Sequence, residues 1–598
     1  MCKESLEKVV IEKFNERKSW ECDSLESLAQ KLDKLTDSKD GYKEANAIFD
    51  SIKVCDPAVG SGHFLVSMLN AMIELKFRLK ILCEIHIDDN GERDYKRLKD
   101  IRLRLENDEI LIQDSNNTLH TYQTPAHENL ESHIIQKALF HNKRILIESC
   151  LFGVDINPNS CEITKLRLWI ELLKYSFYIF DSNGKNTGDL ETLPNIDINI
   201  KCGNSLISNI ALDMTKESLE KDLKNRLNNN ATLESANEIL STINDIQNKL
   251  PHTIQDYKDA VSAYKNETNA ELKSLHKQKI HTTQSFIIAI FHKTSKAYQN
   301  FKNALSSYLQ RYGYNGIDNA TLQNESLDSA LIKSLNDYTI NFNFHKSLDI
   351  PKESQGFVEK ELITLIESMR EYENLINDTN AFEWRFAFPE VLDSNGDFLG
   401  FDLVIGNPPY MQVPKGLYDK TRFPYSEGKD KGKQNLYKVF VELGYNLGHT
   451  NSLVAFITQS SIMCDLSAQF TRELLLKETQ MQYFVEFKKN QKLFTGVIQG
   501  VCIMEFLKAK PKSNNHFKIA INNTESKMDK INFESISQQQ ILEFFPLYEI
   551  PLIKKGEMPI IAKVKTDKIL LKDMIDSSLQ GNINTIHLKK IQSSSTTD

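Results

Sequence analysis

The segment FDLVIGNPPY, residues 401–410, ends in one amide and one aromatic side chain on a stiff piece of backbone. Its apolar start is typical of a short buried strand. Pro408 and Pro409 cannot continue a β-ladder and hold φ at about −65°, and each disfavours helical geometry in the residue before it. The segment therefore predicts a strand that ends in a rigid tip carrying Asn407 and Tyr410. Taken alone, this tip fits a plain strand-ending turn as well as it fits an active site.

A glycine-rich segment far upstream, DPAVGSGHF at residues 56–64, has the order strand, turn and helix. Gly60 and Gly62 allow the backbone to approach a ligand closely, beside the N-terminus of the following helix. The segment lacks both the G-x-G-x-x-G spacing and the lysine of phosphate-binding loops. The Asp56 carboxylate suits a ligand with a cationic ammonium or sulfonium group better than it suits a pyrophosphate.

Two further strand-like runs end in polar residues. LFGVDIN ends at Asp155, where an acidic side chain could hold ribose hydroxyls, as in nucleotide-binding sheets. Capping of the next helix is the structural alternative for Asp155. The run NIDINIKCGNSLI, at 195–207, ends at Gly203-Asn204-Ser205. The repetition of polar residues at three strand ends favours a ligand site over a set of unrelated turns.

Strand-like and helical runs alternate along most of the chain, which implies a mostly parallel sheet with helices on both faces. Residues 1–50 and 208–380 carry apolar residues at helical spacing, the second as a long helical insertion with solvated charged faces. The charged residues 81–145 contain a weak hairpin pattern, IHIDDNGERDYK. The strand-like runs after the insertion are FEWRFAFPEVL (382–392), FLGFDLVIGNPPY (398–410), SLVAFITQSSIM (452–463), MQYFVEF (481–487) and GVIQGVCIMEFLK (496–508).

The bulk composition excludes several classes of protein. The 598 residues suggest about three to five domains, and no run approaches the roughly 18 consecutive apolar residues of a membrane helix. The charged N-terminus is not a signal peptide. Nine scattered cysteines without a CxxC pair indicate reduced thiols and a cytoplasmic protein. The net charge of −8 gives no global sign of a nucleic-acid partner but does not exclude a local groove.

The order of five segments resembles that of a known enzyme family. DPAVGSGHFL, FGVDINPNSCEITKLRLWI, KCGNSLI, FEWRFAFPEV and FDLVIGNPPY occur in the order seen in N6-adenine DNA methyltransferases of the γ arrangement. They look most like the methyltransferase part of the Eco57I-like, type IIG restriction–modification enzymes, over roughly residues 1–510. NPPY alone also occurs in enzymes that methylate protein glutamine or RNA guanine. Its combination with FPEV and with the helical insertion is much more specific.

The resemblance implies an α/β fold: the Rossmann-like sheet of an S-adenosylmethionine-dependent methyltransferase, with a long helical insertion and a partial C-terminal recognition region. Asp155 would bind the cofactor's ribose, and Ile156 would pack on its adenine. Asn204 stands where relatives carry an aspartate that bonds the adenine amino group. Its amide oxygen can still accept that bond, which leaves weaker cofactor affinity open. The remaining residues implied to line the cofactor pocket are Asp56, Ala58, Gly60 and Gly62.

The implied reaction is methyl transfer to the N6 amine of adenine in double-stranded DNA. Inside a duplex that base is unreachable, so it must be flipped out. Acceptors from the Asn407 side chain and the Pro408 carbonyl would hold both N–H groups, and Tyr410 would stack on the base. The resemblance implies no metal ion and no general base with a tuned pKa.

The chain also departs from the family pattern. Relatives carry a YTP-type segment before the helix that here begins at Met1, and type IIG enzymes include a nuclease and a longer recognition domain. We therefore expect truncation at both ends and a nuclease or specificity partner chain. The expected domains are an N-terminal helical segment (1–50), the cofactor-binding half (51–207), the helical insertion (208–380), the catalytic half (381–510) and the start of the target-recognition region (511–598).

Two alternatives from other classes stay open. The chain could be a non-catalytic remnant or DNA-binding subunit that keeps the fold without turnover, in line with the absent YTP segment and with Asn204. It could also be a methyltransferase that acts on protein or RNA.

Overall fold

A nine-stranded mixed sheet organises the chain in the computed structural model. The structure describes residues 1–87, 93–98, 101–228, 233–312, 357–376, 381–430, 434–487, 500–525, 528–551, 560 and 563. Its strands are β1 (Val54–Asp56), β2 (Cys83–Ile87), β3 (Arg93–Arg97), β4 (Arg102–Glu106), β5 (Glu109–Gln113), β6 (Leu151–Asp155), β7 (Tyr178–Phe180), β8 (Asn186–Leu190), β9 (Ile200–Cys202), β10 (Phe401–Gly406), β11 (Gln412–Val413), β12 (Gln434–Asn435), β13 (Gly448–Gln459), β14 (Gln480–Phe487), β15 (Val501–Leu507), β16 (His516–Asn523) and β17 (Glu534–Ser537).

The helices flank this sheet and fill the long insertion. They are α1 (Cys2–Lys18), α2 (Leu25–Leu35), α3 (Lys39–Asp50), α4 (His63–Arg78), α5 (Glu131–Ser149), α6 (Pro158–Leu173), α7 (Lys216–Asn228), α8 (Leu233–Asn244), α9 (Leu250–Asn266), α10 (Ala270–Thr294), α11 (Lys296–Tyr312), α12 (Phe357–Ile376), α13 (Trp384–Ala387), α14 (Leu436–Leu447), α15 (Gln469–Lys477) and α16 (Gln538–Phe544). Short 3-10 or π turns lie at Asp245–Lys249, Pro389–Val391, Pro424–Lys429, Ser460–Met463, Leu466–Ala468 and Met528–Lys530.

The strand order is β17-β16-β14-β15-β13-β10-β1-β6-β9. The five strands from β13 to β9 all run parallel to one another. At the other end β15 is antiparallel to β13 and β14, and β17 is antiparallel to β16. The predicted α/β fold with a mostly parallel sheet is confirmed. Among the described residues, four two-stranded pairings lie outside the sheet, and one of them, β2 with β3, is the hairpin expected within residues 81–145.

Both faces of the sheet are buried, which explains why its central strands are almost wholly apolar. Leu403 and Ile405 of β10 belong to a core shared with helices α1 to α6. Val404, between them, belongs to a second core on the opposite face with α14 and α15. The alternation of side chains along β10 thus divides one strand between two cores.

A third core lies among helices α7 to α10 of the insertion. The helical content expected for 208–380 is observed in the described part of that range, while residues 313–356 lie outside the described residues. Across the described ranges, no helix is both long and apolar enough to cross a bilayer.

One expected strand is wrong. FEWRFAFPEVL forms the short helix α13 and a 3-10 turn at Pro389–Val391 instead of a strand. Its alternating aromatic residues divide between two cores: Phe382 and Phe388 pack in the core of α14, whereas Phe386 packs in the core of the insertion. Alternation here therefore reflects a segment placed between two cores, and it imitates the pattern of a strand.

The expected boundary at residue 510 does not coincide with an end of the sheet. Strands β16 and β17 lie beyond it and pair with β14 and with each other. These two strands lie at one lateral end of the sheet and carry exposed polar side chains, among them Lys518 and Ser535. Assignment of a target-recognition region stays a prediction, and most of residues 552–598 lie outside the described residues.

Candidate active site

Four adjacent parallel strands end at one edge of the sheet and carry the polar residues singled out above. In spatial order they are β10, β1, β6 and β9. Asn407 follows β10, Asp56 ends β1, Asp155 ends β6, and Asn204 follows β9 shortly after Cys202. The fold thus brings together residues that lie up to 351 positions apart in the sequence (407 − 56 = 351). Carboxyl ends of parallel strands are the usual ligand site of open α/β sheets.

Asp56 lies fully buried at the end of β1. Its Oδ1 accepts the Ala58 N–H at 3.0 Å, whereas Oδ2 is buried with no hydrogen-bond partner among the described residues. Burial raises the pKa of Asp56 to about 8, the Ala58 N–H opposes this, and the nearby Asp155 carboxylate adds to it. A buried carboxylate oxygen without a donor is costly, and a cationic ligand group close to it would relieve that cost.

The glycine loop between β1 and α4 is tied to its neighbours. The Val59 N–H donates to the Val154 carbonyl of β6 at 2.9 Å, and Thr164 Oγ1 donates to the Gly60 carbonyl at 3.0 Å. Gly60 and Gly62 both have positive φ, at 55° and 80°. A Cβ at Gly62 would also lie 2.8 Å from Thr164. Both glycines are therefore needed for the shape of the loop.

The Asp155 carboxylate shapes the two loops beside it. Its Oδ2 accepts the Gly60 N–H at 2.9 Å, and its Oδ1 accepts the Asn157 N–H at 2.8 Å. The N-cap of α6 is Asn157, whose side chain accepts the Asn159 N–H. Helix capping, the structural alternative for Asp155, is thus performed by another residue. Ile156, the residue implied to pack on the cofactor's adenine, is 67% exposed.

Asn204 is half-buried and already engaged in its own turn. Its Oδ1 accepts the Leu206 N–H at 3.1 Å. The preceding Gly203 donates its N–H to the Asp155 carbonyl at 2.9 Å, which joins this loop to the end of β6. An amide oxygen has two lone pairs, so the oxygen of Asn204 retains capacity for one more donor.

The tip after β10 is half-buried at Asn407, buried at Pro408 and exposed at Pro409. The Tyr410 hydroxyl donates to Asn407 Oδ1 at 2.7 Å. Burial raises the pKa of Tyr410 well above its usual value, so the phenol remains a donor throughout the physiological range. The tip continues into β11, which pairs with β12.

Sequence reasoning missed two residues that shape this tip. A Cβ at Gly406 would lie 2.5 Å from Asp56 Oδ1, so only glycine lets that carboxylate lie against the end of β10. The signal was the glycine directly before NPPY. Tyr437 of α14 packs edge-on against Tyr410, with ring centroids 6.4 Å apart. No local sequence signal indicated this second contact.

The match to a family model covers the larger part of the chain. Residues 149–494 match the model described as "Eco57I restriction-modification methylase". The chain belongs to this family. The matched range includes Asp155, Asn204 and Asn407–Tyr410, whereas Asp56 and the glycine loop precede it.

Longer proteins are also similar to this chain. A protein of Methanocaldococcus jannaschii, described as a candidate type II restriction enzyme and methyltransferase, is 23% identical over 544 residues. The match covers 89% of this chain and 37% of that relative's length.

Among solved structures, the type IIL restriction–modification enzyme MmeI in complex with DNA is 11% identical, with a TM-score of 0.31, over 86% of this chain and 38% of that one. A type I restriction–modification methyltransferase subunit from Streptococcus thermophilus is 13% identical, with a TM-score of 0.20, over 59% of this chain and 82% of that one. Likenesses this weak do not bear on function.

Proposed function

We propose that this methylase transfers a methyl group from S-adenosylmethionine to the N6 amine of an adenine in DNA. The observation that carries the proposal is the convergence of four strand ends: the tip of β10, the glycine loop after β1, Asp155 of β6 and the loop after β9. The residues at the ends of β1, β6 and β9 suit a cationic nucleoside. The amide and the aromatic ring after β10 suit an adenine.

The residues present fit the cofactor. Asp56 carries a buried oxygen to which no described residue donates, and this suits the positive charge of an ammonium or sulfonium group. Asp155 has an acidic side chain at the strand end where ribose hydroxyls bind in nucleotide-binding sheets. The exposed side chain of Ile156 offers an apolar surface to a planar base. When bound, S-adenosylmethionine supplies an activated methyl group.

The tip of β10 would hold the acceptor amine. The lone pair of that amine is delocalised into the adenine ring, so the amine is a poor nucleophile. Acceptance of its two N–H groups by Asn407 Oδ1 and the Pro408 carbonyl would favour a pyramidal nitrogen as positive charge develops. The Tyr410 hydroxyl uses one lone pair of Asn407 Oδ1, and the second remains available to the amine.

Alignment would supply much of the remaining rate enhancement, because a reaction between two bound partners avoids the entropic cost of their encounter. A target in a duplex must first leave the base stack, at a cost of a few kcal/mol. The contact of Tyr410 with Tyr437 holds its ring at the tip, and a flipped adenine would stack on the free part of that ring.

A second candidate function is a DNA-binding subunit or remnant without turnover. Asn204 favours it, because an amide stands where relatives carry a carboxylate and one lone pair of its oxygen is already used by the Leu206 N–H. Methylation of RNA or protein is a third candidate, because the acceptors of the tip would bind an amine whichever polymer carries it.

A measurement of methyl incorporation into DNA, RNA and protein distinguishes these functions. Radiolabelled S-adenosylmethionine would be supplied with unmethylated plasmid DNA, with total RNA or with denatured protein, and Asn407→Ala would be the control. We expect label in DNA for the wild type only, and sequencing should then locate N6-methyladenine at a recurring site. Cofactor binding by calorimetry without incorporation in any polymer would favour the subunit. Label in RNA or protein alone would overturn the choice of DNA.

A further inference from the structure

The loop after β9 is held against the glycine loop by one side chain. Ser205 Oγ donates to the Pro57 carbonyl at 2.6 Å, and both groups are buried. Ser205 directly follows Asn204, and Pro57 directly follows Asp56. The bond therefore sets the distance between two segments that the proposed function assigns to the cofactor.

Ser205 is held from its other side by Trp384 of α13. The indole Nε1–H of Trp384 donates to the Ser205 carbonyl at 2.8 Å, and the Trp384 side chain is 1% exposed. Phe382 and Phe401 pack against this indole in edge-on arrangements, with ring centroids 5.0 and 6.3 Å away. Phe401 belongs to β10, the strand that ends in the Asn407 tip, so this strand also helps to orient the indole.

The residues beside Trp384 clamp the same loop along its length. The Phe382 N–H donates to the Ile207 carbonyl at 2.7 Å, and a Cβ at Gly203 would lie 2.4 Å from the Phe382 ring. The Glu383 carboxylate accepts the Ser208 hydroxyl at 2.8 Å and the Asn209 N–H at 2.7 Å. This segment thus fixes the loop through both its backbone and its side chains.

We propose that Trp384 is a positioning residue for the cofactor. Its indole N–H holds the Ser205 carbonyl, and Ser205 in turn holds the loop of Asn204 at a fixed distance from the glycine loop. The inference rests on the proposed binding of S-adenosylmethionine. Loss of this one donor leaves a buried carbonyl without a partner, and the loop then closes less well on the cofactor's adenine, far from the amine held at the tip.

The test is Trp384→Phe, which removes the donor and keeps an aromatic ring. The matched control is Trp169→Phe. Trp169 Nε1 also donates to a backbone carbonyl, that of Pro194 at 3.1 Å, but this bond lies outside the proposed cofactor site. For Trp384→Phe we expect the Kd and KM for S-adenosylmethionine to rise on the order of tenfold. The kcat at saturating cofactor and the KM for DNA should change less than about twofold, and the control should match the wild type.

The outcomes distinguish this inference from the proposed function. A wild type that binds no S-adenosylmethionine would overturn both. Normal wild-type binding with an unchanged Kd in Trp384→Phe, or a fall in kcat alone, overturns the positioning role only. Ser205→Ala provides a second variant. Because both substitutions break the same link, their effects should not add: the Kd of the double variant should lie within about twofold of the Kd of the weaker-binding single variant.

A spectroscopic measurement covers the case in which Trp384→Phe does not fold. The chain has three tryptophans, so Trp20→Phe with Trp169→Phe leaves Trp384 as the sole tryptophan, and excitation at the red edge of its absorption avoids the tyrosines. Saturation of this variant with S-adenosylmethionine should change the intensity or wavelength of Trp384 emission. Unchanged emission at a concentration where calorimetry detects binding would overturn the inference.

Discussion

At the scale of single residues, the contact between Tyr410 and Asn407 decides what the tip can do. The hydroxyl of one donates to the amide oxygen of the other at 2.7 Å, so both are already oriented by a bond within the tip. The bond locks the amide's rotamer and therefore the direction of its acceptor. Preorganised acceptors of this kind stabilise developing charge without reorganisation at the moment of reaction.

We predict that Asn407→Ala lowers kcat for methyl transfer by about 10²-fold or more, the usual cost of one lost electrostatic contact in the transition state. Tyr410→Phe should lose less than about tenfold, because it keeps the stacking ring. Initial rates at saturating DNA would measure both, and circular dichroism would verify folding. Equal losses in the two variants would show that the hydroxyl of Tyr410 matters as much as the Asn407 side chain, and would contradict the expectation that the ring is its main contribution.

A second prediction at this scale concerns Asp56. Burial raises its pKa to about 8, so at pH 7 the carboxyl is mostly protonated, and a cationic ligand would favour the ionised form. The affinity for S-adenosylmethionine should therefore rise between pH 6.5 and about 8 and then level off. Calorimetric titrations across this range would measure the slope, and Asp56→Asn should bind more weakly with a flatter profile. An equal slope in that variant would assign the effect to another group.

At the scale of elements, Asp402 of β10 joins three segments. Its carboxylate accepts the Lys53 N–H and lies 2.7 Å from Lys13 Nζ and 3.1 Å from His449 Nε2. Burial alone would lower the pKa of His449, but the hydrogen bond to Asp402 and the Thr450 carbonyl outweigh it and raise the pKa above its usual value. The start of β13 is thereby tied to β10 by a bond that depends on pH.

We predict that this bond stabilises the fold most at low pH. Because the folded pKa of His449 is raised, its contribution is fully present below the unfolded value near 6.5 and is lost as pH rises through the raised folded value. The free energy of unfolding in urea should thus differ between wild type and His449→Gln at pH 6 and converge by pH 9. A difference that grows with pH would contradict the sign of the shift.

The segment around α13 has a sequence pattern that differs from its structure. Its aromatic alternation predicted a strand, but the side chains serve two cores, and Pro389 ends any continuation into a ladder. The strand of FDLVIG was predicted correctly because its apolar run and the two prolines after it are local signals. Strand β16, which lies between β17 and β14, was missed because its polar side chains obscure the alternation.

At the scale of the whole molecule, Arg385 connects the sheet side of the fold with the helical insertion. The guanidinium is fully buried, lies 2.9 Å from Asp397 Oδ1 and donates to the Gly396 carbonyl at 3.1 Å. It also donates to the Ala211 and Met214 carbonyls and stacks over the Phe291 ring of α10 at 4.7 Å. Burial lowers the pKa of Arg385 to about 10, although Asp397 opposes this.

Removal of the Arg385 guanidinium should destabilise the whole chain. Arg385→Ala removes a donor from several carbonyls and the ion-pair partner of Asp397, which among the described residues keeps only the Lys216 N–H on Oδ1. We expect a loss of about 3–5 kcal/mol in the free energy of unfolding. Guanidinium unfolding would measure it, with Arg17→Ala on the exposed side of α1 as the control, expected within about 0.5 kcal/mol of wild type. A loss below about 1 kcal/mol would show that the insertion is held by other contacts.

The sequence by itself determined which segments could form the site. Apolar runs that end in glycine, aspartate or Asn-Pro-Pro-Tyr are local patterns, and parallel strands place such ends at one edge wherever the strands lie in the chain. It also determined the helical character of the insertion, because helical spacing is a local property. The roles assigned to the individual site residues remain predictions.

Only the tertiary structure decided how these ends are joined. The bond from Tyr410 to Asn407, the packing of Asp56 against Gly406 and the link from Trp384 through Ser205 to Pro57 depend on rotamers and on strands that meet from distant parts of the chain. No local pattern encodes such contacts, because each is set by the packing of both cores at once. Packing likewise made the FEWRFAFPEV segment a helix between two cores instead of a strand.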